Sequence, residues 1–276
     1  GTRADFGLVL STLRRIHDHP DLELSLIVTG MHLSTDYGMT VAEVEASGLS
    51  IAARIEVEHG SPSGVLMGGN VGLMIRGMVA ALAEIRPDIV LVLGDRGEML
   101  AGAIAALHLN IPTAHIHGGE RSGTIDEPVR HAISKLSHLH LVATEESRER
   151  LVRMGEMEAR IFVVGAPGLD GIDTLGQEDA GPLLTRLGLA QGPLALLVYH
   201  PVVQEAASAA ATAKVVLDVV SVSGLQVLAL VPNSDAGGAE IRRVLEDAAG
   251  KGGITLVPHR RREDCLTLLR HAEVLI

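Results

Sequence analysis

The sequence predicts an α/β protein in which parallel sheets carry helices on both faces. Apolar runs alternate with amphipathic stretches along all 276 residues, as in proteins whose strands and helices alternate. Most of these runs are continuously apolar, which is typical of strands buried on both faces. Glycines and prolines interrupt the rhythm between residues 164 and 193. We therefore expect two Rossmann-like domains, residues 1–166 and 167–276, of which the second is incomplete.

The individual elements follow from the local patterns. Short apolar runs predict strands at residues 24–28, 89–93, 113–116, 139–142, 161–164, 194–199, 225–230 and 254–257, and residues 272–276 begin another. Apolar residues three and four apart predict helices at residues 5–17, 40–47, 63–85, 99–107, 127–135, 145–154, 204–220, 239–248 and 263–270. Carboxyl ends of parallel strands share one edge, where ligands bind. Polar groups follow such ends in both halves, so we expect a site in a cleft between two domains.

The composition narrows the class of protein. A net charge of −11 and a pI of about 5.6 argue against nucleic acid or an anionic membrane as the main partner. The single cysteine, Cys265, excludes an internal disulfide and fits a reducing compartment. We see no signal peptide and no run of the roughly 20 apolar residues that a spanning helix requires. A soluble, cytoplasmic protein is expected.

Residues 115–138 concentrate titratable groups, with four histidines and the carboxylates Glu120, Asp126 and Glu127 around a Gly-Gly turn. Asp95 follows the preceding predicted strand. Like carboxylates held close push one pKa upward, and a protonated acid beside an ionised one suits acid/base catalysis. Alternatively, Asp95 occupies a turn or caps a helix, and Asp126 or Glu127 simply begins the next helix.

Basic residues accompany these carboxylates. His117, Arg130 and His131 are predicted to contact the substrate, since a four-residue spacing puts His131 on the helix face of Glu127. The histidine spacing matches no metal motif, so we predict neither a metal nor another cofactor. Three further histidines are expected to be buried and hydrogen-bonded to backbone: His115, His138 and His140.

The sequence signals for phosphate binding are less specific than those for the carboxylates. A glycine-led loop carrying Arg3 enters a helix N-terminus, which suits a phosphate group. His200, Asn233 and Asp235 follow predicted strands of the second half and could hold a diphosphate or nucleoside, or form ordinary turns. Neither GxGxxG nor GxxxxGK[ST] occurs, which argues against a dinucleotide enzyme or a P-loop NTPase.

Several motifs together resemble a known family. GTRADFG, LGDRGE, HIHGGERSGTIDEPVRHAISKLSHLHLV, VVGAPGLD, YHPV and PNSDAGG, in this order, are similar to those of the hydrolysing UDP-N-acetylglucosamine 2-epimerases of sialic and related nonulosonic acid synthesis. The resemblance covers essentially the whole chain. It implies a glycosyltransferase-B-like architecture of two Rossmann-like domains around a cleft. It also implies a UDP-sugar substrate and a homo-oligomer.

The resemblance implies a reaction through a 2-acetamidoglucal. The enzyme removes the C2 proton and expels UDP, and water then adds with inversion at C2. By resemblance, Asp95, Glu120 and Asp126 are the acid/base carboxylates, with Glu127 close by.

The resemblance also implies which residues contact the nucleotide end of the substrate. His200 lies near the diphosphate, Arg3 contacts it, and Asn233 and Asp235 border the nucleotide. The family's first strand should precede Gly1, and a nucleotide-binding loop should follow Ile276. We therefore expect a protein limited to these residues to be inactive.

Three alternatives remain open. A non-hydrolysing 2-epimerase would carry HxEAGxR where this chain has HIHGGE. A glycosyltransferase of the same architecture would release UDP only with an acceptor present. A non-catalytic UDP-sugar-binding protein would not turn substrate over. The sugar itself, N-acetylglucosamine or a 2,4-diacetamido-6-deoxy sugar, is not readable from these motifs.

Overall fold

The computed structural model describes residues 1–60, 63–233, 235–258 and 260–276, apart from the side chains of residues 3 and 4. The chain divides into two compact units. Unit 1 comprises Gly1–His59 and Val65–Asp170, and unit 2 comprises Gly60–Gly64 and Gly171–Ile276. All strand pairs among the described residues are parallel, which confirms the predicted α/β class with parallel sheets.

The strands of unit 1 form two parallel sheets. They are β1 Leu26–Thr29, β2 Ile51–Ile55, β3 Val90–Leu93, β4 Thr113–Ile116, β5 Leu139–Val142 and β6 Ile161–Val163. β1 pairs with β2, and the other four follow in the order β3-β4-β5-β6. Leu93 pairs with Ile116, so the chain leaves β3 and β4 at the same level. The loops after these two strands are therefore neighbours at one sheet edge.

The helices of unit 1 are α1 Arg3–His17, α2 Val41–Ala46, α3 Gly64–Ile85, α4 Gly97–His108, α5 Asp126–Leu136 and α6 Glu145–Arg153. Alanine allows α4 to approach the sheet closely: Ala101, Ala103 and Ala105 are fully buried. Ile133 of α5 packs with Val92 and Ala103. Small and branched aliphatic residues thus build this core almost without aromatics.

Helix α1 begins earlier than the predicted Asp5 because Thr2 caps it. The Thr2 hydroxyl accepts a hydrogen bond from Asp5 N at 3.3 Å, and the Asp5 carboxylate accepts one from Thr2 N at 3.0 Å. This reciprocal capping box satisfies two N–H groups that a helix start leaves without partners.

Helix α3 corrects the expectation that no segment could span a membrane. In length and composition it is long and apolar enough, and 22% of its most apolar stretch is buried inside the chain. Arg76 and Glu84 break the run of consecutive apolar residues, which is why the sequence did not suggest it. Met78 and Leu82 of α3 pack in the unit 1 core beside β2 and α4. One such helix is weak evidence for a membrane, because the test rests on length and composition alone.

Unit 2 is a parallel sheet with helices on both faces. Its strands are β7 Leu194–Leu197, β8 Gln226–Leu230, β9 Thr255–Val257 and β10 Val274–Leu275, in the order β10-β7-β8-β9. Its helices are α7 Ala180–Arg186, α8 Ala209–Ser221, α9 Gly238–Gly250 and α10 Arg262–His271. Leu197 packs with α8 and α9, whereas its neighbour Leu196 packs with α7 and α10. The predicted continuous helix 204–220 is wrong at its start, because Val203–Ser208 is a 3-10 helix.

Candidate active site

The loops after β3 and β4 carry the predicted carboxylates. Gly94 takes a left-handed backbone (φ +74°), and Asp95 follows it. Arg96 is the N-cap of α4, so Asp95 lies just before the helix and does not cap it. After β4, His117 (φ +62°) and Gly119 (φ +77°) turn the chain sharply toward Glu120. Because left-handed backbone is costly for a residue with a side chain, the conformation of His117 is a local strain.

Arg130 joins the two loops. Its guanidinium donates to the Asp95 carboxylate through Nη2 and to the Glu120 carbonyl oxygen through Nη1, the latter at 3.3 Å. Burial raises the pKa of Asp95, the Arg130 charge opposes that shift, and the Asp126 charge adds to it. Asp95 and Asp126 are therefore close enough to interact electrostatically.

The pKa of Glu120 is shifted in the opposite direction to that of Asp95. Its carboxylate accepts a hydrogen bond from His117 Nδ1 at 2.6 Å, and this bond is the main cause of its lowered pKa. Asp95 thus holds a proton more readily than usual, while Glu120 loses one more readily. Two carboxyl groups whose pKa values are pushed apart are suited to act as acid and base.

Asp126 and Glu127 begin α5, as the helix-start alternative expected. The Thr124 hydroxyl donates to Asp126 Oδ2 at 2.9 Å. Glu127 Oε2 accepts from Ser122 N at 3.0 Å and Gly123 N at 2.9 Å, and these two bonds lower the Glu127 pKa. Glu127 therefore holds the turn that leads from Glu120 into the helix.

His131 lies one helical turn beyond Glu127, as the spacing predicted. Its Nε2 is 3.9 Å from Glu127 Oε1. Burial lowers the pKa of His131, and the Glu127 charge opposes that shift.

His115 lies beneath these loops and is fully buried. Its Nε2 is 2.7 Å from the Gly94 carbonyl oxygen, and its Nδ1 is 3.1 Å from the Ser134 hydroxyl. Burial lowers its pKa to about 4. The ring is therefore neutral at pH 7, and Nε2–H donates to Gly94.

The other two histidines differ from each other. His138 has the expected backbone partner, because its Nδ1 accepts from the Thr113 N–H at 3.2 Å, but it is only half-buried, so its predicted burial is wrong. The backbone partner predicted for His140 is wrong, because its Nε2 contacts the Glu156 carboxylate at 3.2 Å. The carboxylate lies in the loop after α6, a contact that sequence spacing does not reveal.

The lowered pKa of His115 makes stability depend on pH. The unfolded chain binds a proton near pH 6.5 and the folded chain only near 4, so the free energy of unfolding falls as pH drops from 6.5 to 4. We expect His115→Gln to flatten this dependence by up to about 1.4 kcal/mol per pH unit. Urea unfolding at several pH values measures it. His108→Gln, at an exposed position of α4, is the control and should keep the wild-type slope. An unchanged slope in His115→Gln would contradict the expectation.

The predicted nucleotide-side residues of unit 2 are brought together. Asn233 N donates to His200 Nδ1 at 3.2 Å, and Asn233 Nδ2 donates to Asp235 Oδ2 at 2.8 Å. They lie beyond the carboxyl ends of β7 and β8. The predicted phosphate contact of Arg3 and the residue Ser234 lie outside what the structure describes. Across the described ranges, no group of three or more His, Cys, Asp or Glu side chains is placed to hold a metal ion.

Two residues that contribute to the candidate site were not predicted from the sequence. Ser134 hydrogen-bonds the Arg130 carbonyl oxygen at 3.1 Å as well as contacting His115, and its four-residue spacing from Arg130 was an available signal. Arg150 of α6 donates to the Gly119 carbonyl oxygen, a contact 31 residues away in sequence for which no local signal exists.

Parallel α/β units with two carboxyl groups of opposite pKa shift at adjacent strand ends are typical of enzymes that move protons on a bound substrate. A family model described as UDP-N-acetylglucosamine 2-epimerase matches residues 14–276. The chain belongs to this family.

Curated relatives agree with this assignment. Over the whole chain, 46% of residues are identical to the UDP-N,N'-diacetylbacillosamine 2-epimerase (hydrolyzing) of Legionella pneumophila, of which the chain covers 74%. A UDP-N-acetylglucosamine 2-epimerase of Neisseria meningitidis is 37% identical over the whole chain, which covers 72% of it.

Solved structures show the same fold. The UDP-GlcNAc 2-epimerase of Methanocaldococcus jannaschii superposes over the whole chain and 76% of its own length, with a TM-score of 0.81 and 19% identity. A putative UDP-N-acetylglucosamine 2-epimerase of Listeria monocytogenes superposes over the whole chain and 71% of its own length, with a TM-score of 0.76 and 20% identity. The predicted glycosyltransferase-B-like fold is confirmed.

Proposed function

We propose that the full-length protein is a hydrolysing 2-epimerase, which converts a UDP-2-acetamido sugar into UDP and the free sugar epimerised at C2. The observation that carries this proposal is the pair Asp95 and Glu120, at adjacent strand ends, with pKa values shifted in opposite directions. Family membership and the hydrolysing relative support it.

The proposed chemistry has two stages. In the first, an ionised carboxylate takes the C2 proton, the C1–C2 double bond forms, and the C1–O bond to UDP breaks. In the second, C2 receives a proton on its opposite face and water supplies a hydroxyl to C1. Glu120 is suited to be the base and Asp95 the acid, and Asp126 is the third candidate. General acid–base catalysis of this kind contributes roughly 10²–10⁴ in rate.

No carbonyl group lies next to C2, so the C2 proton is only weakly acidic. Departure of UDP must therefore be assisted for the proton to be removed. Groups that stabilise charge on the diphosphate therefore lower the barrier as much as the base does. Arg3 and His200 are proposed for this role, and Asn233 and Asp235 for the nucleotide. His117 and His131 are proposed to contact the sugar.

The substrate proposed first is UDP-N,N'-diacetylbacillosamine, because the relative named for it shares 46% identity with the chain. UDP-N-acetylglucosamine is the second candidate, because the relative named for it shares 37%. We also propose a cytoplasmic homo-oligomer acting in nonulosonic acid synthesis, consistent with the acidic pI and single cysteine.

Supplying each UDP-sugar in D₂O tests the function. We expect UDP release without an acceptor and one deuterium at C2 of a free, epimerised sugar, observed by NMR and mass spectrometry. The preferred substrate should show the larger kcat/KM. Accumulation of an epimerised UDP-sugar would indicate the non-hydrolysing reaction, and binding without turnover would indicate a non-catalytic protein.

A further inference from the structure

We infer that Arg130 is a positioning residue, which holds Asp95 and the loop after β4 in their working arrangement and does not bind the substrate. This inference rests on the proposed function and adds to it the residue that assembles the site. The sequence suggested a substrate contact for Arg130, which lies one turn into the helix that Asp126 and Glu127 begin.

The contacts of the Arg130 side chain are made with the protein. Its side chain is 10% exposed. One end of the guanidinium pairs with Asp95, and the other donates to the Glu120 carbonyl oxygen. With two of its nitrogens engaged by the protein and only a tenth of the side chain exposed, the guanidinium has little surface left to offer a substrate.

The backbone of Arg130 is fixed by a second set of contacts. The Ser134 hydroxyl oxygen lies 3.1 Å from both the Arg130 carbonyl oxygen and His115 Nδ1, and these two acceptors share its single hydrogen. His115 in turn donates to the Gly94 carbonyl oxygen at 2.7 Å, and Gly94 precedes Asp95. These contacts form a closed ring through Gly94, Asp95, Arg130, Ser134 and His115. Removal of one member therefore displaces the loop that carries Asp95.

Arg130 also controls the charge of Asp95. The charged groups that act on this carboxyl are Arg130 and Arg96, which lower its pKa, and Asp126 and Asp5, which raise it. Among these four charges Arg130 has the largest influence, so its loss should make Asp95 still easier to protonate.

The test compares Arg130→Met and Arg130→Lys with wild type in the full-length protein. Arg130→Met should lower kcat by about 10²-fold, the loss typical of a misplaced catalytic group. KM and the Kd for UDP should stay within about threefold. Because Asp95 is the proposed acid and must hold its proton, the alkaline limb of the kcat–pH profile should move to higher pH. Arg130→Lys should recover part of kcat, because an ammonium keeps the charge but not both contacts.

Arg153→Met is the matched control, because Arg153 of α6 is exposed and pairs with Glu149 on the surface. It should behave as wild type. If Arg130→Met instead weakens UDP binding and raises KM about tenfold or more with kcat unchanged, Arg130 binds substrate and the inference is wrong. Should Arg130→Met not fold, the same comparison is made with Arg130→Lys.

A measurement without substrate separates this inference from the proposed function. Carboxyl ¹³C NMR, with Asp95→Asn to assign the signal, follows the titration of Asp95. A pKa of Asp95 that is higher in the Arg130 variant than in wild type supports the inference, even if no UDP-sugar is turned over. An unchanged pKa of Asp95 overturns it. Failure of the proposed function would appear only as absence of UDP release by wild type.

Discussion

Asp95→Asn in the full-length protein is expected to lower kcat for UDP release by about 10³-fold or more, because the amide can neither give nor take the proton at C2. UDP affinity, measured by calorimetry, should change little. The substitution also leaves the buried Arg130 guanidinium without its anionic partner. We therefore expect a loss of about 1–3 kcal/mol in the free energy of unfolding, measured in urea.

Asp88→Asn is the matched control, at an exposed aspartate that precedes the same strand. It should retain wild-type kcat and stability. An Asp95→Asn protein that keeps more than about a tenth of wild-type kcat would exclude Asp95 as an acid or base.

Gly119→Ala is expected to destabilise the protein by about 2–4 kcal/mol and to lower kcat. The backbone of Gly119 is left-handed, which costs a residue with a side chain about 1–2 kcal/mol. In addition, a Cβ there would lie 2.5 Å from the Ser147 carbonyl oxygen and 3.0 Å from Leu151 Cγ. Backbone must move to relieve this overlap, and Glu120 is the next residue to move with it. Urea unfolding and steady-state kinetics measure both effects.

Gly123→Ala separates the cost of a left-handed backbone from the cost of steric overlap. Gly123 also has a positive φ, +70°, but a Cβ there would meet no atom within 4 Å. We expect this control to lose only the cost of the left-handed backbone, about 1–2 kcal/mol in the free energy of unfolding. Equal losses in the two variants would mean that the packing of the turn against α6 is unimportant.

Much of the fold was predictable because buried parallel strands read as apolar runs. β4 and β5 begin and end at the predicted residues. β2 was missed because Ile51–Ile55 alternates between partly buried and exposed residues and includes Arg54, as in a strand covered on one face. α7 was missed because Gly181 and Pro182 suggest a loop. Proline is in fact well tolerated in the first turn of a helix, and Asp179 caps this one by accepting from Gly181 N at 3.0 Å.

The candidate site was predictable in its residue types but not in its contacts. Asp95, Glu120 and Asp126 were identified because parallel strands bring their carboxyl ends to one edge. The pairing of Arg130 with Asp95 joins residues 35 apart, and its energy depends on burial that sequence does not display. The roles of the individual site residues and the domain boundary near residue 166 remain predictions.

The strand order of unit 1 has a consequence for biogenesis. β3 to β6 each hydrogen-bond to the next strand along the chain, so their assembly closes only short loops. In unit 2, β10 must return to β7 from the far end of the unit. A nascent polypeptide can therefore assemble the β3–β6 sheet of unit 1 on the ribosome before unit 2 has been translated. A truncation within unit 2 should accordingly leave a protease-resistant fragment, whereas a break within β3–β6 should leave none.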